Sequence, residues 1–179
     1  PQRAGLGSPG RLRPAALAPA CLFATLAAHE VDYVLIGGLA AVLHGSTAMT
    51  NDADIVPALD IDNLERLAAA LHSLEARLRV PDTPDGVAFD PHPALLASMS
   101  TLNLTTRCGD LDLACAPDGI DDLDGLAERA STFEVTGQRV RVAALDDIIR
   151  SKEAAGRPKD LATLPILRAL QEEIARRGD

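Results

Sequence analysis

The chain has 179 residues, enough for one domain, and is 47% hydrophobic with one Tyr, three Phe and no Trp, so Leu, Ala, Val and Ile must fill its core. Its formal charge of −9 argues against holding nucleic acid by general electrostatics, which needs a phosphate-neutralising surface. No run is long enough to span a membrane. Cys21, Cys108 and Cys115, odd in number and without metal-ligand spacing, predict small buried thiols, no disulfide framework and a reducing, cytoplasmic setting.

Residues 1–14, rich in Gly, Pro and Arg, read as a disordered lead-in, and 15–179 as a single domain. Residues 11–30 have the outline of a secretory signal, but Pro19 interrupts the apolar run, so a core helix near 20–29 is expected. "VDYVLI" (31–36) predicts a strand ended by Gly37-Gly38, "LAAVLH" a short helix closed by Gly45, and "DADIVPAL" a strand again. A helix is expected over 61–78, with Leu64, Leu67, Ala68, Leu71, Leu74 and Leu78 on one stripe. Residues 80–92 read as a loop holding one short strand at Val87–Phe89, followed by a weak helix, "PALLASM". Two hairpins follow, turning near Cys108-Gly109 and at Gly137, with a helix, "DDLDGLAERA", between them. Helices from about 144 close the chain, the first ended by Gly156 and the last starting near Pro158. The expected class is therefore α/β: a mixed sheet packed with helices, plus a C-terminal helical segment.

Asp52 and Asp54 alternate where the chain enters an apolar strand, so both project from one face, roughly 6–7 Å apart at the backbone. Carboxylates held that close raise each other's pKa unless a cation lies between them. Oxygen-only ligands of this kind suit Mg²⁺, with Mn²⁺ as a substitute, completed by waters and substrate phosphates. Asp112, between Leu111 and Leu113, repeats the acid-in-strand pattern. Three such acids on neighbouring strands can hold two metals about 3.5–4 Å apart, the arrangement of phosphoryl displacement. Asp110, directly after Gly109, reads as a turn residue, and an isolated Asp-x-Asp is usually a solvated edge. Gly37-Gly38 between strand and helix leaves bare backbone N–H groups where a phosphate can approach, though a tight turn needing permissive glycines accounts for it too. The four histidines form no catalytic set, and His44 reads as a capping or packing residue.

Together these pieces are more specific. Ile36-Gly37-Gly38, thirteen residues, then Asp52-Ala53-Asp54-Ile55 resembles the signature of the nucleotidyltransferase superfamily, with Asp112 of "GDLDL" matching its third carboxylate. The resemblance is closest to the small AbiEii/AbiGii-type bacterial nucleotidyltransferases, some of them toxins of toxin–antitoxin pairs, and runs from about Val31 to Leu170. It implies Mg²⁺-dependent transfer of NMP from an NTP to an acceptor hydroxyl on tRNA, protein or a small molecule, with a cognate antitoxin as a further partner. It also implies roles. Gly37 and Gly38 present backbone donors to the triphosphate, Asp52 and Asp54 bind metal, and Asp112 binds the second metal and helps deprotonate the acceptor. Lys159 reaches the phosphates and Asp160 orients it, with Lys152 and Arg157 as lesser contributors. Gly38 stands where many members have Ser. Ala48, Met49 and Asn51 fill a segment that often carries a basic residue, which leaves Ser46, Thr47, Thr50 and Asn51 to contact the nucleotide. The alternatives are a degenerate member that binds nucleotide or a partner without turnover, and an antibiotic-modifying type of enzyme.

Overall fold

The computed structural model describes residues 16–120 and 122–178; the expected lead-in lies outside them. The order of elements is α1 (Pro19–Ala28), β1 (Tyr33–Ile36), α2 (Gly37–Leu43), β2 (Asp52–Pro57), α3 (Ile61–Ser73), β3 (Arg77–Val80) and β4 (Thr83–Val87). It continues with α4 (Pro93–Ser98), β5 (Thr101–Thr106), β6 (Gly109–Ala114), α5 (Leu123–Arg129), β7 (Ser131–Val135), β8 (Gln138–Val142), α6 (Leu145–Ala155) and α7 (Pro158–Gly178). The strands form one mixed sheet of eight in the order β4-β3-β5-β6-β2-β1-β8-β7. β2 is central, antiparallel to β1 and parallel to β6. The expected class is what the molecule adopts.

Strand alternation divides the sheet into two faces. Leu35, Ala53, Ile55, Leu104, Leu111 and Leu113 point to one side, each fully buried in a core shared with Phe23 and Leu26 of α1 and Leu64, Leu67 and Leu71 of α3. Burying a leucine of that stripe contributes roughly 1.5–3 kcal/mol. Asp60 caps α3, its carboxylate accepting from the Asn63 N–H. The other face carries the acids, and α2, α6 and α7 flank it.

Three expectations need correction. The helix predicted over 61–78 stops at Ser73, because Leu74 caps it and Glu75 turns to φ +53°, so Leu78 belongs to a strand. The strand expected at Val87–Phe89 is instead β4, ending at Val87 and paired with β3 through a turn at Pro81-Asp82. Cys21 and Cys108 are joined in a disulfide, their Cα atoms 5.6 Å apart across 87 residues of sequence. Sequence spacing had no bearing on that pair: the β5–β6 turn brings Cys108 beside the start of α1, where the Ala18 N–H donates to the Cys108 carbonyl at 2.9 Å. Only Cys115 matches the buried, unpaired expectation among the described residues.

Candidate active site

The local sequence dictates how β1, α2 and β2 place the first acids. Register pairs Ile36 with Asp54 across β1 and β2, so the chain leaving β1 turns directly over the Asp54 carboxyl. Gly37 makes that turn at φ +70°, and a Cβ there would sit 2.6 Å from Asp54 Cγ. Only glycine fits both the backbone angle and the contact. At Gly38 a Cβ would come within 2.7 Å of Thr50 Oγ1. That hydroxyl donates to Asp52 Oδ1 at 2.8 Å. Thr50 thus fills the space a serine at position 38 would need, and holds Asp52 in place.

β2 and β6 run in parallel with Asp52 beside Asp110 and Asp54 beside Asp112. Four carboxylates therefore share one face of two adjacent strands. Asp110 is a strand residue, not the turn residue expected, because the turn is completed at Arg107-Cys108 and pairing resumes at Gly109. Burial pushes the Asp54 carboxyl up to about 6, reinforced by the negative charges of Asp52 and Asp112 and opposed by Lys159 and Lys152. Asp112 is also raised, by burial first, with Arg79 acting in the opposite direction.

Arg79 is the residue contacting these acids that the sequence pattern did not announce. It comes from β3, two strands away from β6, and reaches over β5 to both outer acids. Its Nη1 donates to Asp110 Oδ2 at 2.6 Å, and its Nη2 to Asp112 Oδ1 at 2.6 Å and Oδ2 at 2.8 Å. The only available signal was the alternation Arg77-Leu78-Arg79-Val80, which a helical stripe masks.

A cleft of about 320 Å³ opens beside the first two acids. It is lined by Gly37, Gly38, Ser46, Thr50, Asn51, Asp52, Asp54, Lys159 and Asp160, all of them candidate residues from the sequence. Lys152 and Arg157 complete the wall facing the acids. Asp112 does not line it, being drawn toward Arg79. The cationic wall is built around one buried acid. Asp160, 1% exposed, accepts from Lys152 Nζ at 2.9 Å and from Arg157 Nε at 2.5 Å. Burial alone would raise its pKa, but these two hydrogen bonds and charges outweigh it and hold the carboxyl below the usual range. Lys159, exposed at the first turn of α7, has no such partner among the described residues. Gly156 ends α6 at φ +60°, and this sharp corner brings residues 157–160 back alongside Lys152.

Not every candidate contributes in the same way. Ser46 is buried, and its Oγ accepts from the Ala48 N–H at 3.2 Å, which makes it a turn-former. Asn51 is exposed at the rim. His44 packs its ring edge-on against Phe133, and its Nε2 lies 2.8 Å from the Ala143 carbonyl, a packing role as expected.

The donor set fits a hard divalent cation at Asp52 and Asp54: oxygen-only ligands, adjacent on one face, with Asp54 raised first by burial and then by the charges of Asp52 and Asp112. As the side chains stand, no three His, Cys, Asp or Glu groups among the described residues gather closely enough for a ready-made metal cluster. In this arrangement Thr50 holds one oxygen of Asp52 and Arg79 both oxygens of Asp112.

No protein-family model and no curated protein matches the chain. Solved structures do. The lincosamide antibiotic adenylyltransferase LnuA, bound to lincomycin, superposes with a TM-score of 0.54 at 16% identity, over 87% of this chain and 99% of that one. An antigenic nucleotidyltransferase-like protein from Paracoccidioides brasiliensis gives 0.53 at 18% identity, over 87% and 78%. The fold is that of the nucleotidyltransferases. The antibiotic-resistance factor ANT(2″)-Ia agrees, with a TM-score of 0.51 at 14% identity over 88% of this chain and 91% of that one. At these identities the likeness is one of fold. Among the described residues, no helix is long and apolar enough to cross a membrane.

Proposed function

We propose that the chain transfers a nucleoside monophosphate from an NTP to an acceptor hydroxyl. In that reaction a bond forms between the acceptor oxygen and the α-phosphorus, the bond to the β-phosphate oxygen breaks, and pyrophosphate leaves. One observation carries the reading: Asp52 and Asp54 share a cleft of about 320 Å³ with Lys152, Arg157, Lys159 and the Gly37-Gly38 turn.

The residues divide the work. Backbone N–H groups in the first turn of α2 have no intrahelical partner and are available to phosphate oxygens. Lys159, exposed and without a carboxylate partner among the described residues, meets the β- and γ-phosphates and stabilises the departing pyrophosphate. Lys152 and Arg157 hold Asp160 and extend the positive wall. Asp52 and Asp54 would hold Mg²⁺, or Mn²⁺ in its place. When bound, the ion neutralises charge on the phosphate oxygens and orients them for in-line displacement. Asp112, beside Asp54 on the neighbouring strand, would hold the second ion and help deprotonate the acceptor. Catalysis here is positioning plus electrostatics.

We favour a small-molecule hydroxyl as acceptor. The net charge of −9 opposes tRNA, and the fold is shared over nearly the whole length of LnuA, an enzyme described with a small antibiotic bound. The test incubates purified protein with each α-³²P-labelled NTP, Mg²⁺, bulk tRNA and a cell lysate including its small-molecule fraction, with Asp52→Ala as control. Label on a small molecule, absent with D52A, supports the reading. Label on tRNA or protein instead would move it to the toxin-like class, which growth arrest relieved by a co-encoded antitoxin would support. An absence of both label transfer and Mg²⁺-NTP binding would overturn it.

A further inference from the structure

Arg79 is placed where a cation would bind Asp112. A single nitrogen, Nη2, lies 2.6 and 2.8 Å from the two oxygens of that carboxylate, the position a chelated metal ion takes. Arginine–carboxylate pairs are frequently fork-to-fork, with two nitrogens on one carboxylate. Here the fork is split instead, with Nη1 on Asp110 and Nη2 on Asp112.

The split leaves a trace. Asp110 Oδ1 is buried and has no hydrogen-bond partner among the described residues. Such an orphan acceptor is costly in a folded protein. It would be satisfied if the guanidinium turned to engage both oxygens of Asp110. The side chain has room to do so: it is unbranched, about a third exposed at 34%, and crosses β5 from the outer strand β3. Two arrangements of the same groups follow. In one, Arg79 bridges Asp110 and Asp112. In the other it forms a full fork on Asp110 and Asp112 is released.

We propose that Arg79 is an exchangeable counter-ion for the third acid: it holds Asp112 in the cation-free protein and shifts onto Asp110 when a divalent cation takes Asp112. This rests on the nucleotidyl-transfer reading and adds to it an order of filling. Asp52 and Asp54 carry no ion pair among the described residues, only the Thr50 hydroxyl on one oxygen of Asp52, and accept the first ion without displacing a charged side chain. The second must displace an arginine. β3 thereby controls when the third acid becomes available, and Arg79 acts as a positioning residue through Asp112.

The test counts bound Mn²⁺ by electron paramagnetic resonance of the free ion, in the presence of a non-hydrolysable ATP analogue. It compares wild type, Arg79→Met and Arg79→Lys. R79M is expected to bind the second ion on the order of tenfold more tightly, the effect of removing one close opposite charge from a carboxylate, with the first ion unchanged. R79K, a point charge that cannot fork, should fall between. Without metal, R79M should melt below wild type, and saturating Mn²⁺ should close the gap. Second-ion affinity that is unchanged or weaker in R79M overturns the proposal, because Arg79 would then be fixed scaffold. If R79M does not fold, Asp110→Asn decides. Removing the resting place should weaken the second ion several-fold, and an equal or tighter second ion overturns the proposal. Should wild type bind neither Mn²⁺ nor the analogue, the transferase reading itself falls, an outcome distinct from a first ion that binds while the second ignores Arg79.

Discussion

Replacing Asp54 by Asn should stabilise the metal-free protein while abolishing transfer. The carboxyl is pushed from 3.8 up to about 6, chiefly by burial and then by Asp52 and Asp112. At 1.36 kcal/mol per pH unit, that places about 3 kcal/mol of unfavourable charge in the native state at neutral pH. Asparagine keeps the shape against Gly37 and removes the charge, but its amide needs partners of its own, so about half is the expected gain. For a domain of this size, about 1.5 kcal/mol corresponds to roughly 3–6 °C in Tm. The sign follows from linkage. Between pH 3.8 and 6 the native state binds the extra proton, so this group's contribution to stability is greatest below 3.8 and declines as pH rises through 6. The advantage of D54N should therefore be full at pH 7.5 and about 1.4 kcal/mol smaller at pH 5.0. Thermal unfolding of both proteins at the two pH values, in chelator, measures it. A gap that does not narrow at pH 5.0, or a D54N protein no more stable at pH 7.5, would refute the electrostatic account of the site.

Cys21→Ser removes a cross-link closing 87 residues, worth up to about 4.5 kcal/mol by chain entropy. Urea unfolding should give the variant and reduced wild type the same lowered midpoint, and identical midpoints for oxidised and reduced wild type would contradict the pairing. Gly38→Ser, the residue common in the resembled superfamily, should cost about 1–3 kcal/mol here by displacing Thr50. Combining it with Thr50→Gly should cost less than the two single changes added together, and additive losses in thermal unfolding would show that Gly38 and Thr50 do not compete for space.

The part of the site built from contiguous pattern was legible in the sequence. A strand, two glycines, a short helix and Asp-x-Asp on the next strand are local features, and the cleft gathers nearly every candidate drawn from them. Asp112 was legible as an acid in a strand, but its neighbourhood was not. Leu78 falls four residues after Leu74 and continues the α3 stripe, and the chain reverses at Glu75, with no glycine or proline to announce it. A helical period thus hid β3, and Arg79 with it. The Cys21–Cys108 link was hidden for a different reason, since residues 87 apart meet only through tertiary packing. From sequence, Asp160 was implied as the residue that orients Lys159. Its larger role, as the buried anchor of Lys152 and Arg157, depends on the corner at Gly156.

The sheet order has a consequence for how such a protein could change. β2 lies in the middle of the sheet, hydrogen-bonded on both sides, so Asp52 and Asp54 sit away from its edges, whereas β3 and β4 form a hairpin at one edge. Lengthening or reshaping that margin would recast the ground beside Asp112 and leave the first two acids where they are. Novelty can accumulate at the border of this sheet while the chemistry at its centre is inherited unaltered.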